Sequence, residues 1–379
     1  MKTLLTASAL ALAAGLAAAQ AEGAKVGMIT TLSGGGAGLG TDVRDGFQLA
    51  LDMAGPESGV ELVVEDDAQK PELAVQIADK MIQSDGVDIL TGIIFSNLAM
   101  AVVPSATAQG VFYVSANAGP SALAGERCHP DYFNVAWQND ALHEAMGAHA
   151  NDAGYENVFL LAPNYPAGTD ALTGFKRTYE GEVAGEALTK FGATDYAPEI
   201  AQLRASGADA LYFFLPGGMG ISFMKQLDQS GVDIPVMGPA FSFDQNMLGA
   251  IGEAALGVKN SSQWSRDIDN PANRAFVEAY EEAYGRLPSL YASQGYDAAN
   301  LILSALAKAD VSDRDAFRAA LAEADFDSVR GKFSFAPNHH PIQDIYVREV
   351  VMEDGALTNK IVATGMTDHQ DAYAADCKM

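Results

Sequence analysis

The chain has 379 residues, of which 49% are hydrophobic and 19% charged, with a formal net charge of −26. That length supports more than one hydrophobic core, and the balance of apolar to charged residues, with no biased tract, excludes a disordered chain. The acidic surplus argues against nucleic acid and anionic membranes as partners, but not against a small anion, which needs only a local positive potential.

At the N-terminus, Lys2 precedes the apolar, alanine-rich run Leu4 to Ala19, and Ala19-Gln20-Ala21 offers a small-x-small cleavage site. Residues 1–21 therefore read as a secretory signal peptide rather than a membrane anchor. No cysteine lies beside that site to carry a lipid, and no later stretch is long and apolar enough to span a bilayer.

The mature chain then alternates strand and helix. "KVGMITTL" (25–32) is a strand running into the glycine-rich "SGGGAGLG", and "DVRDGFQLALDMA" places Val43, Phe47, Ala50, Leu51 and Ala54 at helical spacing. "VELVVEDD" is a second strand. A helix opened by Pro71, striped by Leu73, Ile77 and Met81 and closed by Gly86 follows it. "VDILTGI" and "VFYVSA" are the next strands, with a helix between them that starts near Asn97, just after Ser96. A second series repeats the rhythm with the strands "NVFLLAP", "DALYFFLP" and "IPVMGP". Beyond Asn270 three helical segments precede the extended stretches "GKFSFAP", "IQDIYVREVVMEDG" and "NKIVATGM". Strands that are apolar runs rather than alternating ones belong to parallel sheets covered on both faces. The expected fold is α/β, with two doubly wound parallel-sheet lobes that present the carboxyl ends of their strands to a shared cleft.

The two cysteines, Cys128 and Cys377, are expected to form one disulfide in an oxidising exported compartment, two buried free thiols being the other reading. No nucleophile elbow, H-E-x-x-H, C-x-x-C or P-loop is present, so an exported α/β enzyme has nothing to recommend it and no catalytic residue is assigned. "GGGAGLG" fits G-x-G-x-x-G in no register and reads as a strand-to-helix loop lining a cleft. The adjacent His339 and His340 suggest no third ligand, so neither a metal nor a cofactor is expected.

Ser96 stands between a strand end and a helix start, as an N-cap or as part of an anion site built from a hydroxyl and free N–H groups. "SANAG" (115–119) supplies a second polar strand end beside it.

Taken together, the exported N-terminus, "KVGMITTLSG", "DGFQLALDMAG", "VDILTGIIFSNLAMAVVPSATAQGVFYVSANAG", "APNYPAGTDALTGFK" and "YDAANLILSALAKA" resemble the periplasmic solute-binding proteins of branched-chain-amino-acid-type ABC transporters. The resemblance implies two lobes joined by three hinge crossovers, a clamped ligand and hinge closure without catalysis. The first lobe would take residues 24–138 and 265–330, the second residues 139–264 and 331–379.

By motif alignment, the residues that meet a ligand carboxylate fall on Ser96, Asn117 and Gly119, with N–H groups from the helix start at Asn97 and with Tyr165 as the second-lobe clamp. Amino-acid binders of the family carry a glutamate after a Gly-Pro pair to hold the ammonium, whereas here that position is Ala240. A buried ammonium without its carboxylate costs several kcal/mol. Phe95, Leu215, Ala240 and Phe241 are therefore expected to form an apolar wall. "NHHPIQDIYVREV" is similar to the branch of the family associated with aromatic acids. The reading favoured by the resemblance is a monomeric receptor for an aromatic carboxylate of benzoate or hydroxycinnamate type, delivered to an ABC permease. A branched-chain or other neutral amino acid is the alternative.

Overall fold

A computed structural model describes residues 23–379; the signal peptide assigned to residues 1–21 lies outside them. Two sheets organise the chain. The first contains β1 (Ala24–Thr30), β2 (Val60–Asp66), β3 (Ile89–Thr91), β4 (Phe112–Ser115) and β5 (Tyr132–Asn134), parallel throughout, in the order β2-β1-β3-β4-β5. β1 is buried along nearly its whole length, as an apolar strand covered on both faces must be.

The second sheet is built from β6 (Asn157–Pro163), β7 (Glu182–Thr189), β8 (Ala210–Phe213), β9 (Val236–Pro239) and β10 (Lys259–Ser262), with β11 (Ser334–Phe335) and β12 (Pro341–Glu353) completing the order β11-β12-β10-β9-β8-β6-β7. β6 to β10 are parallel to their neighbours, but β12 runs antiparallel to β10 and pairs with β13 (Ala356–His369) across a turn in which Asp354 and Gly355 both have positive φ. An Asp-Gly pair in that conformation is the favoured two-residue hairpin turn. The extended C-terminal stretches thus add an antiparallel hairpin to one side of the parallel second sheet.

The glycine-rich segment is also more regular than a loop. A single 3-10 turn, Gly34–Gly36, leads into a helix that begins at Ala37 and runs to Ala54. That helix packs so closely on the helix Leu290–Leu306 that a Cβ on Gly46 would lie 1.9 Å from the Ala292 carbonyl oxygen.

The chain passes between the two sheets three times: after β5, after β10 and before β11. Two buried arginines tie these passages together. Arg330 pairs with Asp297 at 2.9 Å and donates to the carbonyls of Val135 and Ala136 and to Gln343 Oε1. Arg348 donates to the Trp264 carbonyl and to Asn260 Oδ1, and pairs with Asp244 at 3.2 Å. Each guanidinium replaces lost water with carbonyl and carboxylate acceptors, which is what a buried cation requires.

The Cys128–Cys377 disulfide is present and fastens the C-terminal segment to the first lobe. His339 stacks on Phe133 at 4.0 Å and His340 lies against Tyr132, so both imidazoles are packing groups. Among the described residues no helix is long and apolar enough to cross a membrane.

Candidate ligand-binding cleft

The carboxyl ends of six strands converge on one cavity, where such sheets place their ligands. From the first sheet come Ile94, Phe95 and Ser96 after β3, Asn117 and Ala118 after β4, and Trp137 and Asn139 after β5. The second sheet supplies Tyr165 after β6, Phe214 and Pro216 after β8, and Phe241 after β9. Leu39, His143, Ala167 and Tyr291 complete the lining.

Ser96 is in the cavity, though not as a cap. The cap position belongs to Phe95, whose extended backbone carries a carbonyl that accepts from Leu98 and Ala99 at 3.0 and 3.1 Å. Ser96 is the first residue of the helix Ser96–Ala108, and its Oγ accepts from Asn139 Nδ2 at 3.1 Å. Its own hydroxyl proton has no acceptor among the described residues. The N–H groups of Ser96 and Asn97 sit in the first turn, where a helix provides no acceptor and its dipole favours negative charge. The Asn97 side chain does not line the cavity.

Asn117 lines the cavity with its amide already oriented. Nδ2 donates to the Ile94 carbonyl at 2.7 Å, so the group without a partner is Oδ1, an acceptor. Two donors remain at Asn117: the second hydrogen of Nδ2, and the backbone N–H, which makes only a long 3.4 Å contact with Ser115 Oγ. Gly119 is outside the cavity. Its N–H donates to Asn139 Oδ1 and its carbonyl accepts from Asn139 N–H, and a Cβ there would lie 2.0 Å from the Trp137 carbonyl oxygen. Gly119 positions Asn139, and Asn139 in turn positions Ser96.

The apolar wall is likewise offset. Residues on an extended segment alternate in direction, so Phe214 and Pro216 face the cavity while Leu215 points away into the second-lobe core with Phe213 and Phe223. Ala240 is fully buried behind Phe241, which is the residue that reaches the cavity. Tyr165 is where the sequence places it, with its ring 4.6 Å from Phe191 and stacked at 6.3 Å on Phe214. Phe95 meets Phe191 edge-on at 5.4 Å, and Trp137 meets Phe241 at 4.5 Å. Burial pushes the hydroxyls of Tyr165 and Tyr291 up, so both remain protonated donors.

Trp137, Asn139, His143, Phe214 and Tyr291 were not anticipated. The first two follow β5, a strand of only three residues that leaves almost no hydrophobic signature.

The lobes touch around the cavity. Asp170, on the helix Pro166–Thr178, accepts from Ser121 N–H at 3.0 Å, Ser121 Oγ at 2.7 Å and Asn139 Nδ2 at 2.9 Å. On another side, Asn246 Nδ2 donates to Asp42 Oδ2 at 3.1 Å. This is a closed arrangement, with no nucleophile–base pair in the cavity lining.

Residues 23–356 match the Periplasmic binding protein family model. A Brucella melitensis relative named Leu/Ile/Val-binding protein homolog 6 is 31% identical, over 92% of this chain and 93% of its own length. A Rhodopseudomonas palustris ABC-transporter solute-binding protein, solved in complex with benzoate, is 30% identical with a TM-score of 0.89, covering 94% of this chain and all of that one. A second R. palustris solute-binding protein, in complex with 4-hydroxybenzoate, is 27% identical with a TM-score of 0.87, covering 92% and 98%. The chain therefore belongs to the periplasmic binding protein family, among the solute-binding receptors of branched-chain-amino-acid-type ABC transporters, and is a receptor rather than an enzyme.

Proposed function

We propose that this receptor works in the periplasm and delivers a small aromatic carboxylate to its ABC permease. The observation that carries this reading is the lining of the cavity: six aromatic side chains, a hydroxyl donor at a helix start, and, among the described residues, neither aspartate nor glutamate. A zwitterionic amino acid would bury its ammonium there without a counter-charge, which costs several kcal/mol. Asp170, the carboxylate that Asn139 links to the cavity, already accepts three hydrogen bonds. A carboxylate with a planar apolar body instead finds the Ser96 hydroxyl, the first N–H groups of the helix and stacked rings. The two R. palustris receptors that hold benzoate and 4-hydroxybenzoate support the same reading.

In this reading residues 24–138 with 265–330 form one lobe, and 139–264 with 331–379 the other. The ligand is clamped by hinge closure between them.

Protein stripped of ligand, equilibrated with an equimolar mixture of benzoate, 4-hydroxybenzoate, leucine and valine, desalted and then denatured, should release the aromatic acids on mass spectrometry. Release of leucine or valine alone would refute the reading in favour of a branched-chain amino acid receptor.

A further inference from the structure

His143 is a polar group that the carboxylate end of the site does not use. It sits on the helix Ala141–Asp152, is 1% exposed, and forms part of the second-lobe wall of the cavity between the rings of Phe214 (5.2 Å) and Phe241 (6.0 Å). Its Nδ1 is paired with the hydroxyl of Tyr212, itself fully buried.

The pairing determines where the imidazole proton lies. Tyr212 Oη has no other partner among the described residues, and its hydroxyl stays protonated because burial pushes it up. If Nδ1 carried the proton and donated to Tyr212, the phenolic hydrogen would be buried with nothing to accept it. A buried unpaired donor is the costlier arrangement. Tyr212 therefore donates to Nδ1, and the neutral imidazole carries its hydrogen on Nε2. Burial also pushes the imidazole down to about 3, so no cation forms at neutral pH. Nε2 has no hydrogen-bond partner among the described residues.

We infer that His143 is a specificity-determining residue: held by Tyr212 as the Nε2–H tautomer, it donates to an oxygen substituent on the ligand's ring, so the receptor prefers hydroxylated aromatic acids to unsubstituted ones. This rests on the aromatic-carboxylate reading and deepens it. An unsubstituted ring against His143 leaves the Nε2–H facing carbon, whereas a ring hydroxyl at the right position gives it an acceptor. A wall made only of Phe214 and Phe241 would offer a hydroxyl nothing, and one added hydroxyl is then poorly discriminated.

The test is calorimetric titration of the ligand-stripped protein with benzoate and its 2-, 3- and 4-hydroxy derivatives, in the wild type and in His143→Phe. In the wild type, one hydroxy isomer should bind about tenfold or more tighter than benzoate, the return for one satisfied donor. In His143→Phe the ratio of hydroxybenzoate to benzoate affinity should fall to about one. Nitrogen-15 shifts of the His143 ring in the wild type should show Nε2 protonated, a readout that needs no variant to fold. Equal binding of all four acids by the wild type, a preference that survives His143→Phe, or a proton on Nδ1 would each overturn the inference and leave the aromatic-carboxylate reading standing. Binding of none of the acids would overturn both.

Discussion

Replacing Ser96 with alanine isolates the anion end of the site. Ser96 Oγ spends its acceptor capacity on Asn139 Nδ2 at 3.1 Å, and that nitrogen also donates to Asp170 at 2.9 Å. Removing the hydroxyl therefore leaves Asn139 bonded and the lobe contact at Asp170 in place. Phe95 holds the cap position, so no helix cap is lost, and alanine is the better helix former at the first helical residue. The cost should fall on the ligand alone. One hydrogen bond to a charged acceptor is worth about 1.5–3 kcal/mol, or roughly a 10- to 150-fold rise in Kd. Calorimetry with the preferred aromatic acid measures this loss, and thermal denaturation without ligand should place Tm within about 2 °C of wild type. Unchanged affinity would mean that the carboxylate is held elsewhere. A drop of Tm in the ligand-free protein comparable to the affinity loss would make Ser96 a structural residue.

Three further outcomes follow from particular contacts. Ala240→Glu places a carboxylate at a fully buried position next to Phe241; aromatic-acid affinity should fall at least about tenfold by isothermal titration, and unchanged affinity would detach this position from the site. Asp170→Ala removes the acceptor of two hydrogen bonds from Ser121 across the lobes and of a third from Asn139, so stopped-flow dissociation of the bound acid should speed up by about tenfold or more, and an unaltered off-rate would contradict a closing role. Burial holds the Asp42 carboxyl up at about 6 despite Arg286. Between the ordinary carboxylate value near 4 and about 6, the folded chain keeps a proton that the unfolded chain has lost. The contribution of Asp42 is thus fully present below about pH 4 and is lost as pH rises through about 6, a fall of up to about 3 kcal/mol. Asp42→Asn should flatten that part of the urea-stability profile; the same slope in the variant would contradict the assignment.

The apolar parallel strands were readable because a strand buried on both faces is a short continuous hydrophobic run, as in β1 and β6. The strands that escaped carry no such signal. β5 has three residues, β7 is a half-exposed edge with two glutamates, and β10 reads Lys-Asn-Ser-Ser although its last three residues are buried. Missing β5 hid its strand end, and with it Trp137 and Asn139. Along the apolar wall the sequence came closer. Leu215 was named where Phe214 and Pro216 face inward, and of the expected pair Ala240 and Phe241 only Phe241 reaches the cavity, because motif alignment fixes position along the chain but not which alternate side chain turns to the cleft. The orientation of the Asn117 amide is set by a hydrogen bond to the Ile94 carbonyl, a contact between neighbouring strand ends that no linear pattern reveals.

The most direct measurement of ligand class is calorimetric titration of ligand-stripped protein with leucine and with 4-hydroxybenzoate under identical conditions. A cavity without a counter-charge for ammonium predicts saturable binding of 4-hydroxybenzoate and none of leucine at comparable concentrations. Tight leucine binding with no heat from the aromatic acid would contradict it.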